Sequence, residues 1–568
     1  MPVPTPVPLP TPIASNSTPC LPSHRGRITD PVVQNLWRST LSQMRAEKAL
    51  PFSDLDQIES DISQGVSLPL QCQPPPTVFN NTPSVAQNAD LVRARLADYI
   101  EFGALEELPA DSIAPHGIQP LHVVLKPGKK PRLCIDLSRN LNQFLDYRYF
   151  SYSKVDDAVE LSSPNCWFGK LDLSNCFLTF PLHPEAVKFF YFRFENKLYK
   201  FTHMPFGLRT APLVCTLLLS VPAFAMSKRG CKFVRYLDDF FFIASSREEL
   251  SRMLKNAKEV FTSFGLIVNE DKTEGPVQSI SFLGVQINSI EKTVCCTPER
   301  VKELTTLLTS TLTKRIVRRR DAESIVGKLS FAAQVLPGAR PFMRSMIDSI
   351  HRCTNRYTPV RIDSCFRSDI DFWLENLSNW NGKQLWRSAR SVQIVIATDA
   401  SLQGFGFYID SVPEQVNSSS WPANLQIGSC FYGSYDVKHA EYHSSHRKIA
   451  WCELLAILAA VATYGPHIQN QNLLLLVDNN TDVAIINRQA TKSPLLSQIL
   501  KRLFKLSLDF NFSISAKHFP GSLNVIADFL SRPSLHKSDP LTHAHVVIPE
   551  FASRLCICSP VSSITFHP

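Results

Sequence analysis

The chain is 568 residues long, 44% hydrophobic, with 59 Lys and Arg against 50 Asp and Glu for a formal charge of +9. That length exceeds what one core supports, so two or three globular units are expected, and the basic excess suits a polyanionic partner but is too thinly spread to assign a function. No stretch reaches the ~18 consecutive apolar residues of a membrane span, and the N-terminus has neither a basic region nor an unbroken apolar core. Export and membrane insertion are therefore not expected, and the fifteen scattered cysteines read as buried thiols of an intracellular protein, cytoplasmic or nuclear.

In chain order, residues 1–85 are rich in Pro, Ser, Thr and Asn and read as a mostly flexible arm with one helix, Val32 to Met44. Helical periodicity starts at Leu91 and runs to Leu108, after which strands and helices alternate in an α+β manner. The run Lys126-Pro127-Gly128-Lys129-Lys130-Pro131-Arg132 precedes Asn140-Leu141-Asn142, and Lys170 to Phe177 places Asp172 on an apolar strand. Met204-Pro205-Phe206-Gly207-Leu208-Arg209 follows, then Cys231 to Ser245, which reads as a strand-turn-strand hairpin around Tyr236-Leu237-Asp238-Asp239. Adjacent carboxylates among Phe233, Val234 and Phe240 to Ile243 are costly to hold without compensation, and a divalent cation is the compensation expected. With Asp172 they make three carboxylates for a metal pair, the arrangement of a nucleotide polymerase.

Beyond the hairpin come Gly265 to Lys272 and Ser281-Phe282-Leu283-Gly284-Val285. Thr297-Pro298-Glu299 opens a helical region that runs to about Asn379 and holds the basic cluster Lys314 to Arg320. A second acidic series follows: Asp399 on the strand Val392 to Ala400, Glu453 on an apolar helix, Asp478 directly after the strand Leu473 to Val477, and Asp528 in Asn524 to Arg532. Ser411 to Ser445 reads as a polar insertion between the first two acids. Hydrolysis of a phosphodiester needs an activated water and a stabilised leaving oxygen, which two Mg²⁺ ions ~3.5–4 Å apart supply, and hard oxygen ligands suit that ion.

From Val92 to Gln286 these motifs, in this order, resemble the fingers and palm of a retroelement reverse transcriptase, and the later four acids resemble an RNase H domain. The fold implied is α+β and multidomain: a right-hand polymerase of fingers, palm and thumb followed by an RNase H-like α/β domain. The expected boundaries are 1–85 for the arm, 86–290 for fingers and palm, 291–390 for thumb and a short connection, 391–532 for RNase H and 533–568 for a tail. The resemblance implies Asp172, Asp238 and Asp239 as polymerase metal ligands and Asp399, Glu453, Asp478 and Asp528 as RNase H ligands, with Mg²⁺ in pairs at each site or Mn²⁺ in its place. It implies His518 as a helper in proton transfer or product release. Arg132, with Lys126, Lys129 or Lys130, would grip a triphosphate, and Phe177 would underlie the incoming sugar and exclude a 2′-hydroxyl. Phe206 and Gly207 would line the nucleotide, Lys272 would serve as general acid for pyrophosphate, and Phe282-Leu283-Gly284 would position a primer end. The partners so implied are RNA and DNA template-primers, RNA/DNA hybrid and dNTPs.

Gly327 to Phe331, Pro337 to Arg344 and Trp451 to Ala456 look most like DIRS-type, tyrosine-recombinase retrotransposons. A gypsy-like long-terminal-repeat element or a pararetrovirus polymerase is the alternative, and about 85 mostly low-complexity residues leave no room for a protein-priming domain. From a different class, a domesticated or decayed copy that binds nucleic acid without catalysis is a further alternative, against which the presence of all seven expected acids argues, while Phe177 and the second acidic series speak against an RNA-dependent RNA polymerase.

Overall fold

The computed structural model describes residues 27–532 apart from 110, 127–128, 337, 354, 356, 381–383, 386–392, 414–429, 435–446 and 470. The chain divides into two compact units, Met1–Ala158 with Cys166–Val277, and Val159–Asn165 with Gln278–Pro568. The expected break at residue 290 thus falls earlier: the antiparallel strands Ser279–Phe282, Val285–Asn288 and Thr293–Cys296 belong to the second unit.

At the centre of the first unit is a four-stranded antiparallel sheet in the order Glu274–Val277, Trp167–Asp172, Asp239–Ala244, Phe233–Tyr236. Phe240, Phe241 and Phe242 are all fully buried, as a central strand covered on both faces requires. The helix Arg247–Ser263 packs on this sheet through Leu250, Met253, Leu254, Ala257, Val260 and Phe261, one face of a 3.6-residue repeat. Ser246 caps it by accepting a hydrogen bond from the Glu249 amide at 3.1 Å. A two-stranded antiparallel ribbon, Leu121–Lys126 with Lys129–Ile135, carries Arg132 opposite Val124.

The expected flexible arm is corrected over its described part. Residues Pro31–Ala46 and Phe52–Gln64 are helices whose Trp37, Leu41, Met44, Leu55, Ile58 and Ile62 belong to the core of the first unit. Trp37 is fully buried, donates to the Phe264 carbonyl at 3.1 Å and meets the Phe264 ring edge-on at 5.2 Å. Short polar stretches on either side disguise these two helices as low-complexity chain. Residues 1–26 and the 533–568 tail lie outside the described residues.

In the second unit, helices Pro298–Leu312, Arg319–Ala332, Arg344–His351 and Ser364–Trp380 precede a five-stranded sheet. Pro298 takes the first helical turn and Thr297 the N-cap position, as expected. Within the basic cluster, Arg318 pairs with Asp321 and Arg319 with Glu323. The sheet runs Cys430–Ser434, Gly404–Ser411, Gln393–Ala400, Asn472–Val477, Ser513–His518, with the first three strands antiparallel and the last two joining in parallel, an RNase H-like topology. Its third strand in chain order, Cys430–Ser434, falls within the span read as a polar insertion; the flanking residues 414–429 and 435–446 lie outside the described residues. Two helical stretches, Ala211–Lys228 and Ile449–His467, are long and apolar enough by composition to cross a membrane, and both supply core residues to their own units.

Two candidate carboxylate centres

The first centre follows from strand register. Asp172 ends its strand directly opposite Asp239, the first residue of the neighbouring strand, and Asp239 also faces Tyr236 across a two-residue turn. Leu237 enters that turn with φ +54°, a left-handed conformation costly for a branched side chain, which brings Asp238 to the sheet edge beside the other two. Ligand oxygens of Asp172, Asp238 and Asp239 lie within 4.8 Å of one another. Burial, then Asp172, raises the Asp238 carboxyl, while Lys272 and Arg132 oppose the shift. Burial and the neighbouring Asp238 and Asp172 push Asp239 up to about 7. Three crowded carboxylates whose charged forms are this disfavoured fit a divalent cation, which replaces lost hydration with hard oxygen coordination.

Asp172 is held by its surroundings. Its Oδ2 accepts from the Lys272 ammonium at 2.7 Å and from the Asn269 amide side chain at 3.2 Å, and its backbone carbonyl accepts from the Asn269 N–H at 2.8 Å. Lys272, expected as an acid toward pyrophosphate, is thus an ion-pair partner of a candidate ligand.

Phe177 begins the short 3₁₀ turn after Asp172 and meets Phe206 at 5.3 Å between ring centroids with planes at 61°. Gly207 has φ +117°, and a Cβ there would lie 1.9 Å from the Ile135 carbonyl oxygen, so the loop hugs the ribbon that bears Arg132 in a way only glycine permits. Asn142 holds the same loop, donating to the Gly207 carbonyl and accepting from the Arg209 N–H, both at 2.9 Å. Sequence reasoning noted Asn142 only as part of a motif. Arg132 is exposed; Lys126 ends its strand, but its side chain and those of residues 129–131 lie outside the described residues.

The second centre sits at the carboxyl ends of two parallel strands, where Ala397 pairs with Leu476 and both chains run on to Asp399 and Asp478. Glu453 projects from the helix Arg447–Tyr464, and its ligand atom and those of Asp399 and Asp478 lie within 4.8 Å of one another. Glu453 is 2% exposed, and its Oε2 is buried with no hydrogen-bond partner among the described residues. Burial, followed by Asp399, Asp478 and Asp482, pushes Glu453 up to about 10, and burial raises Asp399 to about 6. An orphaned carboxylate oxygen in such a cluster fits a cation better than a solvated acidic face.

Asp528 stands apart from that trio, ion-paired with Arg532 at 2.5 Å and 41% exposed in its side chain, yet close enough for its charge to bear on Asp399. Its helix, Val525–Leu530, is fixed by Asn524, whose side-chain amide donates to the Thr398 carbonyl at 2.9 Å, and by Gly406, where a Cβ would strike Leu530. His518 ends its strand opposite Val477, one residue before Asp478, and is exposed. Asp482 was not foreseen. It is fully buried, neither carboxylate oxygen has a partner among the described residues, and burial with Asp478 pushes it up to about 8. The available signal was an acid four residues after Asp478, immediately before the apolar run Val483 to Ile486.

Residues 124–287, which include the first centre and end before the second, match the family described as Reverse transcriptase (RNA-dependent DNA polymerase). The chain is 22% identical over 467 residues to the enzymatic polyprotein of Cassava vein mosaic virus, covering 80% of this chain and 67% of that one. It is 23% identical to the enzymatic polyprotein of Carnation etched ring virus (59% and 47% covered) and 20% identical to the Transposon Tf2-3 polyprotein of Schizosaccharomyces pombe (73% and 29% covered). The chain therefore spans less than half the length of the latter two. Among solved structures, the foamy viral protease-reverse transcriptase with RNA/DNA hybrid aligns at TM-score 0.49 and 15% identity (86% and 63% covered), and with dsDNA at 0.47 and 14% (86% and 97% covered). Residues 124–287 are accordingly a reverse transcriptase domain, in a chain similar to viral and transposon polyproteins.

Proposed function

We propose that this chain is an RNA-directed DNA polymerase that also hydrolyses the RNA of an RNA/DNA hybrid. The observation that carries the reading is the pairing of Asp172 opposite Asp239, with Asp238 in the adjoining turn, inside a domain of the reverse transcriptase family. Asp172, Asp238 and Asp239 would hold paired Mg²⁺ at the polymerase site, and Asp399, Glu453 and Asp478, joined by Asp528, would do so at the hydrolytic one. Bound there, the ions supply a lowered pKa for the attacking hydroxyl or water and neutralise charge on the leaving oxygen. The residues of the chain bind and orient. Lys272 neutralises Asp172, Arg132 presents a planar donor fork to a triphosphate, and Phe177, backed by Phe206, occupies the volume that a 2′-hydroxyl would need. His518, at the rim of the second centre, would move a proton or speed product release.

The nucleic-acid partners are RNA and DNA template-primers and their hybrid, and the substrates are dNTPs. We assign the element to the DIRS type on the Gly327 to Phe331, Pro337 to Arg344 and Trp451 to Ala456 blocks; a tyrosine-recombinase frame beside the coding sequence supports it, and an integrase frame overturns it. Primer extension on an RNA template tests the main reading. Mg²⁺-dependent synthesis by the wild type and its loss in Asp238→Asn are expected, and undiminished extension by the variant would sink the assignment.

A further inference from the structure

Two buried thiols lie beneath the nucleotide side of the first centre. Cys176, 4% exposed, immediately precedes Phe177; Cys215, fully buried, sits in the helix Ala211–Leu218 that follows the Phe206 to Arg209 loop. Their Sγ atoms are 2.9 Å apart, within 1 Å of the ~2.05 Å of a bonded pair. Beside them is Arg235, on the strand that leads into the Asp238 turn. Its Nη1 is buried without a hydrogen-bond partner among the described residues; burial lowers its pKa, and the neighbouring Cys215 and Cys176 oppose that shift. A guanidinium stays charged at any physiological pH, so Arg235 is the neighbour that favours a thiolate over a thiol at Cys176. The neighbouring thiol and burial hold Cys176 well above its usual value while Arg235 pulls it down, so at rest the pair reacts slowly.

We propose that Cys176 and Cys215 are a redox modification site, closed to a disulfide by a small hydroperoxide and reopened by a thiol reductant. In the first step one thiolate attacks a peroxide oxygen, the O–O bond breaks, and a sulfenic acid forms with release of water or alcohol. In the second step the other thiol displaces the sulfenic oxygen as water and the S–S bond forms. The two sulfurs together lose two electrons to the peroxide, and the two thiol protons end in the released water or alcohol. The disulfide ties the turn that starts at Phe177 to the helix behind Phe206, and pulling the sulfurs together shifts the backbone next to the ring that the proposed sugar selection depends on. The bond itself does not depend on the polymerase reading; its effect on nucleotide use does.

The test uses the full chain. After exposure to hydrogen peroxide and alkylation of remaining thiols, peptide mapping should find Cys176 and Cys215 joined, with loss of two hydrogens, and separate again after reductant. Oxidised wild type should incorporate dNTPs several-fold more slowly than reduced protein and recover with reductant, whereas Cys215→Ala should be insensitive to the same treatment. Cys176 and Cys215 found separately alkylated, or oxidised singly without a cross-link, would overturn the proposal whether or not the protein polymerises. A cross-link that leaves dNTP kcat/KM unchanged would overturn its coupling to the nucleotide site.

Discussion

At the level of single residues, the site is governed by which charges and rings are left without water. Phe177 tests sugar selection directly: Phe177→Val should raise ribonucleotide relative to deoxynucleotide incorporation by about ten-fold or more, on the order of 1.4 kcal/mol in differential transition-state binding, measured as kcat/KM for matched nucleotides on one primer-template. Because Phe206 leans on Phe177, Phe206→Ala should shift the ratio in the same direction by a smaller factor; an unchanged ratio in both variants would leave Phe177 as ordinary packing. Asp482 gives a pH test. Its folded value of about 8 lies above that of an unfolded Asp, so between about pH 4 and 8 the folded chain holds a proton that the unfolded chain has lost. Its contribution to stability is therefore full below pH 4 and falls as pH rises, by about 1.4 kcal/mol per unit. Urea denaturation in chelator across that range should show a shallower decline for Asp482→Asn than for wild type, and equal slopes would mean that Asp482 is ionised throughout.

Secondary-structure elements put these side chains where they act, and two positions measure how firmly. Gly207→Ala sets a Cβ against the Ile135 carbonyl at a φ that L residues avoid, so it should cost at least about 3 kcal/mol, read from the denaturation midpoint. The helix Pro31–Ala46 invites the opposite comparison between its two faces. Trp37→Ala removes a fully buried ring and its hydrogen bond and should cost about 3–5 kcal/mol, while Val32→Ala, at a position 77% exposed, should change little. Equal, small effects would restore the reading of this segment as an arm. The helix itself was legible from its apolar spacing. That it belongs to a core was not, because the partner of Trp37 is Phe264, more than two hundred residues along the chain, and no local pattern encodes a partner that distant.

For the whole molecule, the two centres lie in different compact units, which predicts separable chemistry. Asp478→Asn should stop cleavage of RNA in a hybrid while leaving primer extension near the wild-type rate; loss of both activities in a folded variant would show that the centres are coupled. The carboxylates were readable in the sequence because an acid inside a run of Phe, Val, Ile and Leu violates burial chemistry, and such violations stand out in one dimension. Motif order likewise points to the reverse transcriptase domain that residues 124–287 match. What depends on register or on approach from a distant segment had to wait for tertiary structure: Asp172 facing Asp239, Lys272 bound to Asp172, and Asp528 turned toward Arg532 while Asp399, Glu453 and Asp478 converge. The same holds for the buried Asp482 and for two thiols brought to 2.9 Å. Sequence by itself determined which residues carry unusual chemistry, since side-chain type and local periodicity are local properties. Only the folded chain decided which of them meet, since a contact between distant residues is set by the packing of everything between them.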